Sequence, residues 1–133
     1  NNFVKTMLHL GKERDELNVV VDQIGTPTNA ADLAKAILDI LPQIENNAVK
    51  LIHYSNEGVC SWYDFAKAIF EYTNTNCRLI PISTAQYPTA APRPYYSVLD
   101  KANIKETYNF EVPYWKNSLI KKLKLFKLNN HDF

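Results

Sequence analysis

The chain is 133 residues long and 46% apolar, enough to build one domain with its own core and too apolar for a disordered segment. Fifteen Lys and Arg against fourteen Asp and Glu leave a net charge of +1, so no field gathers nucleic acid or an anionic membrane. Two cysteines are too few for a disulfide scaffold, and without a signal-like or membrane-length apolar run the expected setting is a reducing cytoplasm.

The chain opens Asn1-Asn2-Phe3-Val4 without an initiator Met, which reads as a cut inside a longer protein. A first helix is predicted from about Asn2 to Leu10, with Gly11 as its stop and Lys12 to Glu16 as a charged turn. Leu17 to Val21 form a β-branched strand. It breaks at Gly25 and Pro27, and a helix follows in which Leu33, Ile37, Leu38 and Leu41 recur at helical spacing. Thr28 or Asn29 caps that helix, Asp32 suits the positive end of its dipole, and Pro42 closes it. The turn from Asp22 to Ala34 is the organising stretch, because unpaired N–H groups at a helix start favour an anion nearby.

After a polar link, Leu51 to Tyr54 read as a short buried strand and Ser55 to Gly58 as a turn. Ser61 and Asp64 have the spacing of a capping box, so a helix starts there with Trp62, Phe65, Ala66, Ile69 and Phe70 as its buried stripe. Cys77 to Ile82 make a third strand. The segment from Thr84 to Tyr96 carries three prolines and is a loop without a regular ladder. Asp100 caps a short helix through about Thr107, and Pro113 opens a last one that buries Trp115, Leu119, Leu123 and Phe126. Lys116, Lys121, Lys122, Lys124 and Lys127 face away from that stripe as a solvated surface.

No complete active site can be assembled from these residues. Tyr63 and Lys67 match the Tyr-x-x-x-Lys spacing of short-chain dehydrogenases, yet three glycines in all supply no glycine-rich strand-to-helix phosphate loop, so the pair reads as a helix surface. His9, His53 and His131 lack partners at ligand spacing, and no metal site is expected. Cys60 and Cys77 read as buried fillers. Arg93 stands alone among prolines and tyrosines, where its guanidinium matches a phosphate or pyrophosphate, with Tyr87, Tyr95 and Tyr96 as flat faces for a base or sugar. A surface arginine stacked on tyrosine is the competing reading.

Asn1-Asn2-Phe3-Val4-Lys5-Thr6-Met7-Leu8, Asp22-Gln23-Ile24-Gly25-Thr26-Pro27-Thr28, Ser61-Trp62-Tyr63-Asp64-Phe65-Ala66 and Tyr87-Pro88-Thr89-Ala90-Ala91-Pro92-Arg93-Pro94 together resemble the dTDP-4-dehydrorhamnose reductase family, across nearly the whole chain. That family belongs to the extended short-chain dehydrogenases, which join an N-terminal dinucleotide-binding domain to a smaller C-terminal region for the nucleotide sugar. The resemblance implies an α/β C-terminal substrate-binding region of about three short strands and five helices, lacking the Rossmann half. It spans residues 1–128, with 129–133 as a loose tail.

The parent would reduce dTDP-4-dehydro-L-rhamnose to dTDP-L-rhamnose with NADPH, for cell-surface polysaccharide. Its catalytic Thr, Tyr and Lys and its glycine loop would lie upstream. The fragment alone is therefore expected to be inactive and not to bind NADPH. Arg93 looks like the family's pyrophosphate-gripping Arg of an Arg-Pro pair, and Arg93, Tyr87, Gln23 and Thr26 are the substrate-binding residues this implies. The sequence departs from the family's pattern at Pro88-Thr89-Ala90-Ala91, where Pro-Thr-Pro-Ala is usual, and at Tyr95-Tyr96-Ser97 in place of His-Asn-Ser. With the dinucleotide domain missing, exposed apolar surface is expected to drive self-association through that patch or a strand edge.

Two other readings exist. One is a non-catalytic subunit resembling the regulatory subunit of methionine adenosyltransferase. The other is a nucleotide-sugar epimerase or dehydratase, against which stands Gly25 at the place of a second phosphate-binding Arg.

Overall fold

A computed structural model describes residues 2–45 and 48–129, with side chains described through residue 126. Its α-helices are α1 (Phe3–Glu13), α2 (Ala30–Ile40), α3 (Trp62–Thr73), α4 (Ala102–Tyr108) and α5 (Trp115–Asn129). The strands are β1 (Glu16–Val20), β2 (Ile24–Gly25), β3 (Cys60–Ser61) and β4 (Arg78–Ile82). The α/β class and five helices agree with expectation. Of the tail expected at 129–133, Asn129 belongs to α5; the rest of it, His131 included, and the Lys127 side chain lie outside the described residues.

β1 pairs with β4 in parallel, Leu17 opposite Leu79 and Val20 opposite Ile82. Parallel strands need a long crossover, and α3 lies within it. α3 starts where its sequence says: the Ser61 hydroxyl accepts from the Asp64 N–H, and the Asp64 carboxylate accepts from the Ser61 N–H, both at 3.0 Å. Its far end turns through Asn74 in the left-handed region. Phe65, Ala66, Ile69 and Phe70 are buried against Met7, Leu17, Val19, Trp115, Leu119 and Leu123. Each of the large side chains contributes about 1.5–3 kcal/mol on burial.

Four details differ from the pattern-based reading. Gly11 does not end α1; it lies inside the helix, where an added Cβ would come within 2.7 Å of Thr75 Cγ2 and 2.8 Å of Phe70 Cζ. Glycine is there for close approach of the helix to its neighbour. Residues 51–54 belong to no strand. Ile52 and Tyr54 pack instead on a second cluster of Ile40, Ile104, Tyr108 and Val112, so an apolar run was satisfied by side-chain packing without a ladder. Leu51 is exposed.

Trp62, read as core, is 43% exposed, because the first residue of a helix lies at the edge of its apolar stripe. Leu33, Ile37 and Leu38 do lie on α2 and Leu41 opens the 3-10 turn just after it, yet all four are exposed and only Ala36 and Ile40 of that helix are buried. The helix faces its core with the narrow side of its apolar surface.

The short antiparallel pair of β2 and β3 was not anticipated, since two residues carry no periodicity. It places Ile24 opposite Ser61 and Gly25 opposite Cys60. On its other edge Ile24 meets Tyr96: the Ile24 N–H donates to the Tyr95 carbonyl at 2.8 Å, and the Ser97 N–H donates to the Ile24 carbonyl at 2.9 Å. The proline loop is thereby tied to the organising turn.

Candidate functional site

β2, the start of α3 and the segment around Arg93 enclose a cleft of about 310 Å³. Gln23, Thr26 and Arg93 all line it, with Gly25, Pro27, Ser61, Trp62, Pro94 and Ser97. Tyr87 does not; it is exposed beyond the short helical turn at Thr84–Gln86. Of the four expected substrate residues, three meet in one place.

Arg93 is the charged residue among the described cleft-lining side chains, it is exposed, and no carboxylate pairs with it among the described residues. A guanidinium so placed keeps its five donors for a ligand. The other polar side chains of the cleft already donate within the protein. Thr26 Oγ1 donates to the Gly58 carbonyl at 2.7 Å, Ser61 Oγ to Asp64 at 2.7 Å, Ser97 Oγ to the Ile24 carbonyl at 3.3 Å, and Gln23 Nε2 to Thr84 Oγ1 at 3.1 Å. Gly58 needs its missing side chain: its φ is +81°, and a Cβ would come within 2.2 Å of the Tyr114 ring. Thr26 and Gln23 therefore shape the walls, and Arg93 supplies the charge.

The base of the proline loop is pinned. Both oxygens of Asp22 accept from the Thr84 N–H, at 2.8 and 3.0 Å, and the Thr84 hydroxyl donates to Asp22 at 2.7 Å. These bonds, the side-chain one first, hold the Asp22 carboxyl below its ordinary value. Behind α2, Asn56 is fully buried and joins three segments. Its Oδ1 accepts from the Asn29 N–H at 2.7 Å, and its Nδ2 donates to Asp32 at 2.8 Å and to the Pro113 carbonyl at 3.1 Å. Ser118 also donates to Asp32. Neither Asn56 nor Ser118 could be singled out from sequence, since isolated polar residues carry no spacing signal. Asn29 caps α2, accepting from the Ala31 N–H at 2.9 Å.

Tyr63 is half-buried on α3 and packs against the core, while Lys67 sits 4.0 Å from Glu71. Neither lines the cleft. Gly11 is inside α1, Gly25 in β2 and Gly58 in a left-handed turn, so the described residues hold no glycine-rich strand-to-helix phosphate loop. Among the described residues no group of three or more His, Cys, Asp or Glu gathers for a metal ion. His9 lies 3.4 Å from Glu13, and His53 is exposed. Cys60 and Cys77 are free thiols; burial, with Asp64 adding to it, pushes Cys60 up to about 12, which keeps it a neutral thiol. Among the described residues no helix is long and apolar enough to cross a membrane.

The sequence family described as the RmlD substrate binding domain matches residues 1–128. A spore coat polysaccharide biosynthesis protein, SpsK of Bacillus subtilis, is 40% identical over 119 residues, covering 90% of this chain and 40% of the relative. A dTDP-4-dehydrorhamnose reductase of Aggregatibacter actinomycetemcomitans is 42% identical over 128 residues, covering 90% of this chain and 44% of its own length. The solved dTDP-4-dehydrorhamnose reductase of Bacillus anthracis, in complex with NADP, superposes with a TM-score of 0.80 at 41% identity, over 91% of this chain and 41% of that one. The chain thus spans about two fifths of the length of these relatives.

Proposed function

The chain belongs to the family of the RmlD substrate binding domain, and from that premise we propose that it is the dTDP-sugar-holding part of a dTDP-4-dehydrorhamnose reductase. The whole enzyme reduces dTDP-4-dehydro-L-rhamnose to dTDP-L-rhamnose with NADPH, in a cytoplasmic route to polysaccharide. The nicotinamide cofactor supplies the hydride; it and the catalytic residues are held by the remaining segment that relatives carry. This chain binds and orients the nucleotide sugar, and by itself is inactive.

Arg93 carries this reading. An unpaired guanidinium lines a cleft whose other described polar side chains already donate inside the protein, so Arg93 is the group there that can hold an anion. Charge-assisted bonds to a diphosphate contribute about 1.5–3 kcal/mol each. In the protein that joins this chain to the segment its relatives carry, Arg93→Ala is expected to weaken dTDP binding about ten- to a hundredfold in isothermal titration. Equal affinities would remove the assignment.

A further inference from the structure

We infer that Trp62 is the specificity-determining wall of the cleft, its exposed ring carrying the apolar face and C6 methyl of a 6-deoxyhexose and disfavouring sugars with a 6-hydroxyl. The inference rests on the nucleotide-sugar reading and adds the residue that discriminates the sugar.

Trp62 is anomalous on its own helix. Phe65, Ala66, Ile69 and Phe70 are buried, whereas Trp62 is 43% exposed and lines the same cleft as Arg93. What sets this ring apart is that it stands in the cleft wall at a fixed place. The backbone at Trp62 is set by the capping box of Ser61 and Asp64. Its ring is supported from one side by Phe3, with centroids 4.9 Å apart at 45°, and Phe3 in turn stacks on Phe65 at 5.4 Å. A ring held in this way keeps one orientation, so little side-chain entropy is lost when a ligand covers it.

The chemistry of the surrounding walls points the same way. Apart from Arg93, the described polar side chains of the cleft are donating within the protein, and the thiol of Cys60 is a weak partner. A ligand anchored by its diphosphate on Arg93 meets proline and indole surface next. A methyl or C–H face gains from covering that surface. A hydroxyl placed there gives up water without a replacement partner. Rhamnose, the sugar in the names of the reductases this chain resembles, is a 6-deoxyhexose.

The test is titration of the protein carrying this chain with dTDP, dTDP-6-deoxy-D-glucose and dTDP-D-glucose, the two sugars differing only at C6. The unaltered protein is expected to prefer the 6-deoxy compound about tenfold or more. Trp62→Ala should bring the ratio near unity while dTDP affinity changes by less than about twofold, and Trp62→Phe should keep most of the preference. Should Trp62→Ala lose dTDP binding altogether, Trp62→Leu, which preserves an apolar helix start, takes its place. A ratio unchanged by the substitution, or no preference in the unaltered protein, overturns the assignment while leaving the nucleotide-sugar reading standing. Absence of dTDP binding to the unaltered protein overturns both.

Discussion

Asp22 shows how one side chain holds the loop that carries the cleft-lining Arg93. Its carboxylate accepts the backbone N–H and the hydroxyl of Thr84, and those bonds exist in full only while it is ionised. The folded group titrates below its ordinary value. Its contribution is therefore complete above the unfolded value of about 3.9 and is lost as pH falls through the lower folded value. Acid titration followed at the Thr84 amide by NMR should show the loop base loosening below about pH 4, and Asp22→Asn should remove that step. An amide shift that titrates identically in the variant would contradict the account. The group is solvent-accessible, so the effect concerns the loop more than global stability.

Elements meet at Asn56, which ties the start of α2 to the approach and first turn of α5. Replacement by Leu fits the volume and leaves the Asn29 N–H without its partner, whereas Asp32 keeps the Ser118 hydroxyl. An orphaned group of this kind costs about 1–3 kcal/mol, so Asn56→Leu is expected to destabilise the fold by about 1–3 kcal/mol in urea unfolding. A change below about 0.5 kcal/mol would mean that the node is dispensable. The cap of α3 was legible from Ser61 and Asp64 because both partners lie three residues apart. The Asn56 node was not, because its partners are separated by up to 62 residues.

At the scale of the whole molecule, Leu33, Ile37 and Leu38 on α2 are exposed, as are Leu41 and Ile44 just beyond it. A patch of this kind costs solubility unless something covers it. On the proposed function, the remaining segment of the reductase is expected to shield apolar surface on this chain, and the isolated chain to self-associate. Sedimentation velocity on the chain alone should show concentration-dependent association, reduced by the double substitution Ile37→Lys and Leu38→Lys. A monomer at all concentrations would contradict this.

What the sequence determined by itself were the features whose causes are local. β1 and β4 follow from β-branched runs, α3 from its capping box, and the loop around Arg93 from its prolines. The motifs resemble the family that matches residues 1–128. Tertiary structure decided the features whose causes lie far apart in the chain. Gly11 looked like a helix stop until Phe70 and Thr75 arrived against it. Trp62 looked buried until its place at the end of the stripe left it facing the cleft. The meeting of Gln23, Thr26 and Arg93, with Tyr87 left outside, depends on a two-residue strand pair and one bridge at Tyr96. Periodicity reports which face of an element is apolar, whereas the neighbour that covers it, or leaves it open for a ligand, is fixed only when distant segments pack.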